Sequence, residues 1–163
     1  MRTQKEMKQL VFPMLQSKGK TYLKVKKIFA RKAKLNEKIT TWTSDGKETS
    51  NRAKSGDYVI KSQTEAGEEY IIPGHKFKAR YTFEKRSAGG LSEYKPSGRI
   101  QALEVNQRVL KKFKVKNRFY FMAPWGSKMI VKEKDFLACP IGGNEIYRIA
   151  RKEFFETYRL DKG

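Results

Sequence analysis

Cysteine and histidine are almost missing from this chain: Cys139 and His75 are each the only one of their kind among 163 residues. A lone cysteine excludes an internal disulfide, and with a lone histidine it excludes zinc or iron–sulfur sites built from several such ligands. No metal and no other cofactor is therefore expected, and Cys139 reads as a small buried apolar side chain in a reducing compartment. Acidic residues are scarce as well, 17 against 37 Lys and Arg, which leaves a formal net charge of +20 and a pI near 10.0. No apolar run approaches the length of about 20 residues that a membrane span requires. The opening Met1-Arg2-Thr3-Gln4-Lys5 carries no apolar signal-peptide core, so a cytoplasmic protein without a membrane partner is expected.

Hydrophobic residues make up 38% of the chain, enough for one ordinary domain or two small ones. The positive excess belongs to both halves: residues 1–90 hold 21 basic and 9 acidic residues, and residues 91–163 hold 16 and 8. The charge is thus no detachable tail. Between two periodic regions lies Ser87-Ala88-Gly89-Gly90-Leu91-Ser92-Glu93-Tyr94-Lys95-Pro96-Ser97-Gly98, whose composition favours a loop. Met7, Leu10, Val11, Met14 and Leu15 recur at helical spacing near the start, with Pro13 in their midst.

The two sides of the loop-like segment can be laid over one another. Tyr70, Ile72, Phe77 and Tyr81 lie 77 residues before Tyr147, Ile149, Phe154 and Tyr158, and Asp57 lies 78 before Asp135. In each copy an Asp-aromatic-aliphatic segment and a Tyr-x-Ile segment read as paired strands, joined around Glu65–Glu68 and around Ile141–Asn144. Phe77 with Tyr81, and Phe154 with Tyr158, fall at i and i+4 and suit a short closing helix. The reading is an α+β, β-rich chain of two similar small twisted-sheet or barrel-like units, each closed by a short helix. Its parts are an N-terminal helix or arm over 1–19, a first repeat over 20–86, a linker over 87–98 and a second repeat over 99–163.

Gly56-Asp57-Tyr58-Val59-Ile60, then Glu69-Tyr70-Ile71-Ile72, then Phe77-Lys78-Ala79-Arg80-Tyr81 resembles the small bacterial and phage domains named for a Pro-Gly-Asp-Tyr motif. Ser55 stands where that motif has proline, and the second copy has Lys134-Asp135-Phe136 instead of the Gly-Asp-Tyr core. The resemblance spans roughly 25 residues of each half. It implies a bacterial or phage setting and, because the family is largely of unknown function, no catalytic residues.

Two basic clusters suggest the function. The first contains Lys20, Lys24, Lys26, Lys27, Arg31 and Lys32; the second contains Arg108, Lys112, Lys114, Lys116 and Arg118. Leu23-Lys24-Val25-Lys26 and Phe113-Lys114-Val115-Lys116 alternate, so as strands they would turn the cations to one face and the apolar residues to the core. Such ridges suit a phosphate backbone, although lysine-rich strand faces also serve to protect sheet edges. Trp42 and Trp125, both beside turns, are candidate stacking surfaces for bases, while Phe113, Phe119, Tyr70 and Tyr147 read as core. The expected activity is nucleic-acid binding, RNA or DNA, dominated by the backbone. The alternative is a phage-type anti-defence or regulatory protein that grips a host protein complex or sequesters a phosphorylated nucleotide signal. Catalysis is not expected. Glu68 and Glu69 would point to opposite faces of a strand, Lys152 stands where the first copy has His75, and Asp57 and Asp135 suit turn-stabilising hydrogen bonds.

Overall fold

The computed structural model describes residues 1–163. Helix α1 (Gln4–Lys18) leads into β1 (Lys20–Lys24), β2 (Ile28–Lys32), β3 (Lys38–Thr43), β4 (Gly46–Arg52), β5 (Tyr58–Ser62), β6 (Glu69–Ile72), α2 (Gly74–Arg80) and β7 (Tyr81–Arg86). There follow β8 (Ser92–Pro96), β9 (Arg99–Glu104), α3 (Gln107–Lys112), β10 (Arg118–Met122), β11 (Lys128–Lys132), β12 (Phe136–Pro140), β13 (Tyr147–Ile149), α4 (Arg151–Thr157) and β14 (Tyr158–Leu160). The architecture is α+β and strand-rich, and no helix is long and apolar enough to cross a membrane.

The first helix starts at a capping box, in which the Thr3 side chain accepts from Glu6 N–H and Glu6 reaches back to Thr3. Its Met7, Val11 and Leu15 are buried, and Pro13 lies on the exposed side, where water can reach the carbonyl it leaves without a partner. Gly19 ends the helix because the chain turns back tightly there: a Cβ would stand 2.5 Å from the Leu15 carbonyl oxygen.

Two five-stranded sheets dominate, with strand orders β6-β5-β2-β8-β7 and β13-β12-β9-β1-β14. Their registers correspond pair for pair. Ile28 stands between Ser62 and Tyr94 in one sheet, as Ile100 stands between Pro140 and Tyr22 in the other. Ala30 stands between Ile60 and Ser92, as Ala102 stands between Ala138 and Lys20. The aromatic packing follows the same plan. Phe77 stacks on Tyr58 and Tyr81 at 4.1 and 5.2 Å and meets Tyr94 edge-on at 4.8 Å. Phe154 stacks on Phe136 and Tyr158 at 3.7 and 5.4 Å and meets Tyr22 edge-on at 4.9 Å. Each such contact adds about 0.5–1.5 kcal/mol beyond the area it buries. Asp57 and Asp135 each accept a turn N–H at 2.8 Å, from Lys54 and Lys132.

Three features depart from the sequence expectations. The stretch 87–98 is no linker throughout: Ser92–Pro96 is β8, hydrogen-bonded to β2 on one side and β7 on the other. Likewise 20–86 does not make one unit, because β1 leaves the first sheet and lies between β9 and β14 of the second. Each crossing is short, and the two run together, with Lys24 N–H donating to the Gly98 carbonyl at 3.0 Å. Finally, Phe113–Lys116 is not a strand. Asn106 caps α3 by accepting from Val109 N–H, and Val109, Leu110 and Phe113 are buried at helical spacing before Lys114 turns the chain at φ 58°.

The hairpins β3–β4 and β10–β11 are separate two-stranded ribbons. The largest core, 16 buried residues, gathers α1, α3, β10 and β11 with residues of β9, β12 and the loop before β13. The first sheet has smaller clusters around Phe77 and around Val59.

Because each sheet contains a strand from the other side of the chain, fragments 1–90 and 91–163 each lack an interior strand. Neither alone is expected to melt cooperatively by circular dichroism, and an equimolar mixture is expected to recover the melt. A cooperative transition in either fragment alone contradicts this.

Candidate functional site

The second basic cluster keeps its charge exposed in a different conformation. Arg108, Lys111 and Lys112 lie on α3, Lys114 and Lys116 in the turn after it, and Arg118 opens β10; all are exposed, and none forms an ion pair. Arg118 pairs directly across the ribbon with Lys132, and Lys38 directly across the other ribbon with Arg52. Like charges placed opposite one another destabilise a ribbon unless something negative lies beside them; Lys132 has Asp45 at 3.1 Å, whereas Lys38 and Arg52 have no carboxylate partner.

The first cluster is divided. Lys27 donates to Glu84 at 2.7 Å, and Arg31 grips Glu37 through two hydrogen bonds of 3.0 and 2.6 Å, which hold the Glu37 carboxyl down at about 2. Lys20, Lys26 and Lys32 are exposed and unpaired, but Lys20 opens β1 while Lys26 follows its other end. Lys24 is not on a solvated ridge. Tyr22 packs against Phe154 on the inner face of the sheet, and Lys24, two residues on, shares that face; Leu23 points away and Val25 is 46% exposed. The expected alternation is therefore inverted, since a period of two does not say which set faces inward. Trp42 is 57% exposed on β3 beside a register shift, whereas Trp125 donates its indole N–H to Thr49 of the facing ribbon at 3.3 Å. Phe113 and Phe119 are buried as expected, but Tyr70 and Tyr147, only partly buried, line a cleft.

That cleft, about 1210 Å³, lies between the two sheets. It contributes to an accessible surface of 9514 Å², larger than the roughly 8,400 Å² of a compact chain of this mass. Lys24 reaches into it and donates to the hydroxyls of Tyr70 and Tyr81 at 2.8 and 2.6 Å, with its ammonium over both rings. Burial works against the Lys24 charge, but the surrounding phenol oxygens, Tyr81 foremost, raise its pKa above the ordinary lysine value.

At another part of the cleft the fully buried Arg148 guanidinium holds three carboxylates: Asp135 at 2.9 Å, Glu48 at 2.8 Å and Asp45 at 2.6 Å. Asp45 and Glu48 belong to the β3–β4 ribbon, so this hub fixes the ribbon to the second sheet. Ser44 strengthens the join through two hydrogen bonds to Glu153, at 2.9 and 3.0 Å. Burial opposes the Arg148 charge, but Glu48, Asp135 and Asp45 outweigh it and raise its pKa. Asp45 is also disfavoured by burial, yet the Thr43 hydroxyl and Arg148 bring it down to about 2. Burial pushes Glu48 up to about 7, against the pull of Arg148. The hub had one sequence signal: Arg148 stands 77 residues after Ile71, a charge at the register position where the first sheet has an apolar residue. Asp135 was marked only as a turn residue, and Glu48 and Asp45, 100 and 103 residues away, had no signal.

Comparison with protein-family models, curated proteins and solved structures gives no match.

Because the Glu48 pKa is raised on folding, its stabilising contribution is complete below the unfolded value of 4.5 and is lost as pH rises through about 7. Urea denaturation should therefore show lower stability at pH 8 than at pH 5, by up to about 3 kcal/mol from this group. Glu48→Gln should reduce that fall, and an unchanged pH dependence in the variant contradicts the assignment.

Proposed function

We propose that the protein binds nucleic acid through its phosphate backbone, with the turn between α3 and β10 as the principal contact. The observation that carries this reading is the run Arg108, Lys111, Lys112, Lys114, Lys116 and Arg118, exposed and without a carboxylate partner, on a chain of net charge +20. Ten of the 37 Lys and Arg form ion pairs, so most of the excess remains available to an outside anion. The like-charge pair Lys38 with Arg52, neither of them in an ion pair, favours the same reading, because a polyanion relieves its repulsion. Trp42 offers an exposed ring for stacking.

The matching strand orders and the resemblance to the Pro-Gly-Asp-Tyr domains support reading the chain as two copies of one unit, of bacterial or phage origin. The copies have diverged in the charge they carry: α3 and its basic turn lie between the first strand and the ribbon of the second sheet, where the first sheet has Ala33–Glu37. This surface supports a reading of binding rather than catalysis.

Fluorescence anisotropy with random single- and double-stranded DNA and RNA tests the proposal. Binding at low salt should weaken with a log–log salt slope of about −0.7 to −0.9 per phosphate contacted. Lys112→Glu, Lys114→Glu, Lys116→Glu and Arg118→Glu together should lower affinity at least tenfold and flatten that slope. Absence of binding at low salt, or unchanged affinity in the variant, sinks the reading.

A further inference from the structure

The cleft between the sheets has more hydrogen-bond donors than acceptors at its centre. Tyr70 and Tyr81 enter from the first sheet, Tyr147 and Tyr158 from the second, and Lys24 lies among all four. An ammonium has three N–H donors, of which Lys24 gives two to Tyr70 and Tyr81. The hydroxyls of Tyr70 and Tyr81 are 3.4 Å apart, so one can donate to the other, leaving the second proton without an acceptor. The Tyr147 and Tyr158 hydroxyls pair with each other in the same way, which again leaves one proton without an acceptor, and the Arg80 guanidinium, which acts electrostatically on Tyr147, has no hydrogen-bond partner in the protein.

The carboxylates that line the same cleft are engaged elsewhere. Arg148 holds Glu48, Ser44 holds Glu153, Lys76 holds Glu145, the Lys54 N–H holds Asp57, and Thr64 donates to Glu68. Neither Lys24 nor Arg80 has a carboxylate at ion-pair distance. What is missing from the centre of the cleft is a compact group that only accepts hydrogen bonds and carries negative charge.

We infer that the cleft binds a phosphomonoester, its terminal phosphate taken by Lys24, Arg80 and the hydroxyl pair of Tyr147 and Tyr158. A phosphate offers three terminal oxygens, enough for donors that converge from two sheets, and two cations match its charge at neutral pH. The cleft is large enough to enclose a nucleotide-sized molecule around that group. The site is separate from the α3–β10 turn and does not depend on that turn binding nucleic acid. The phosphate can come from a free nucleotide or from the 5′ end of a strand.

Isothermal titration calorimetry in 150 mM salt decides the matter, with inorganic phosphate, uridine 5′-monophosphate, uridine, and 5′-phosphorylated and 5′-hydroxyl decathymidylate as probes. Uridine 5′-monophosphate should bind and uridine should not. Tyr147→Phe with Tyr158→Phe, which keeps both rings, should weaken phosphate-dependent binding at least tenfold, as should Arg80→Gln. Both variants should retain the nucleic-acid affinity of the α3–β10 turn. If the phosphorylated oligonucleotide gains over its hydroxyl form what the double variant loses, the source is a strand end; if only the mononucleotide shows the difference, it is a free nucleotide. Equal binding with and without the phosphate, or wild-type phosphate binding in both variants, overturns the inference.

Discussion

β1 lies between β9 and β14, and β8 lies between β2 and β7, so each five-stranded sheet is completed by a strand from the opposite side of the chain. A sheet interior strand satisfies backbone groups on both of its edges, and withdrawing it leaves two exposed edges at once. The exchange therefore makes the two sheets one cooperative body. It also sets the side chains that meet between them. Lys24 rides on β1 as part of the second sheet, and its ammonium finds Tyr70 and Tyr81 of the first.

Charge is used in two ways within this frame. At Arg148 it is buried, with three carboxylates around one guanidinium, and the join depends on geometry: the β3–β4 ribbon is located by Asp45 and Glu48, whose partner lies on β13. Such a hub is costly to desolvate and costlier to break, which favours one placement of the ribbon over others. At the α3–β10 turn charge is exposed and unpaired, contributing nothing to packing. The distinction separates cations that hold the fold from cations that remain free to meet a partner, within a single very basic composition.

Local elements were legible in the sequence because their signals are local. The apolar spacing of α1, the paired strands β5–β6 and β12–β13, and the turn bonds of Asp57 and Asp135 all rest on residues close together in the chain. Asn106 and the spacing of Val109, Leu110 and Phe113 announce α3, but the shorter alternation Phe113-Lys114-Val115-Lys116 competes with that signal. The exchange of β1 and β8 was not legible. Strand patterns say which residues alternate, and two sheets with the same register accept the same strands. A period of two also leaves the inward face of β1 open, so Lys24 belongs among tyrosines and not among the exposed cations that the alternation suggests.

Native-state amide hydrogen exchange tests the interlocked arrangement most directly, because it reports the opening free energy of each sheet separately. The account predicts that the most protected amides of β2 and β5 and those of β9 and β12 exchange through one shared global opening, with equal free energies and equal sensitivity to urea. Two distinct openings, in which one sheet exchanges while the other stays protected, would contradict it.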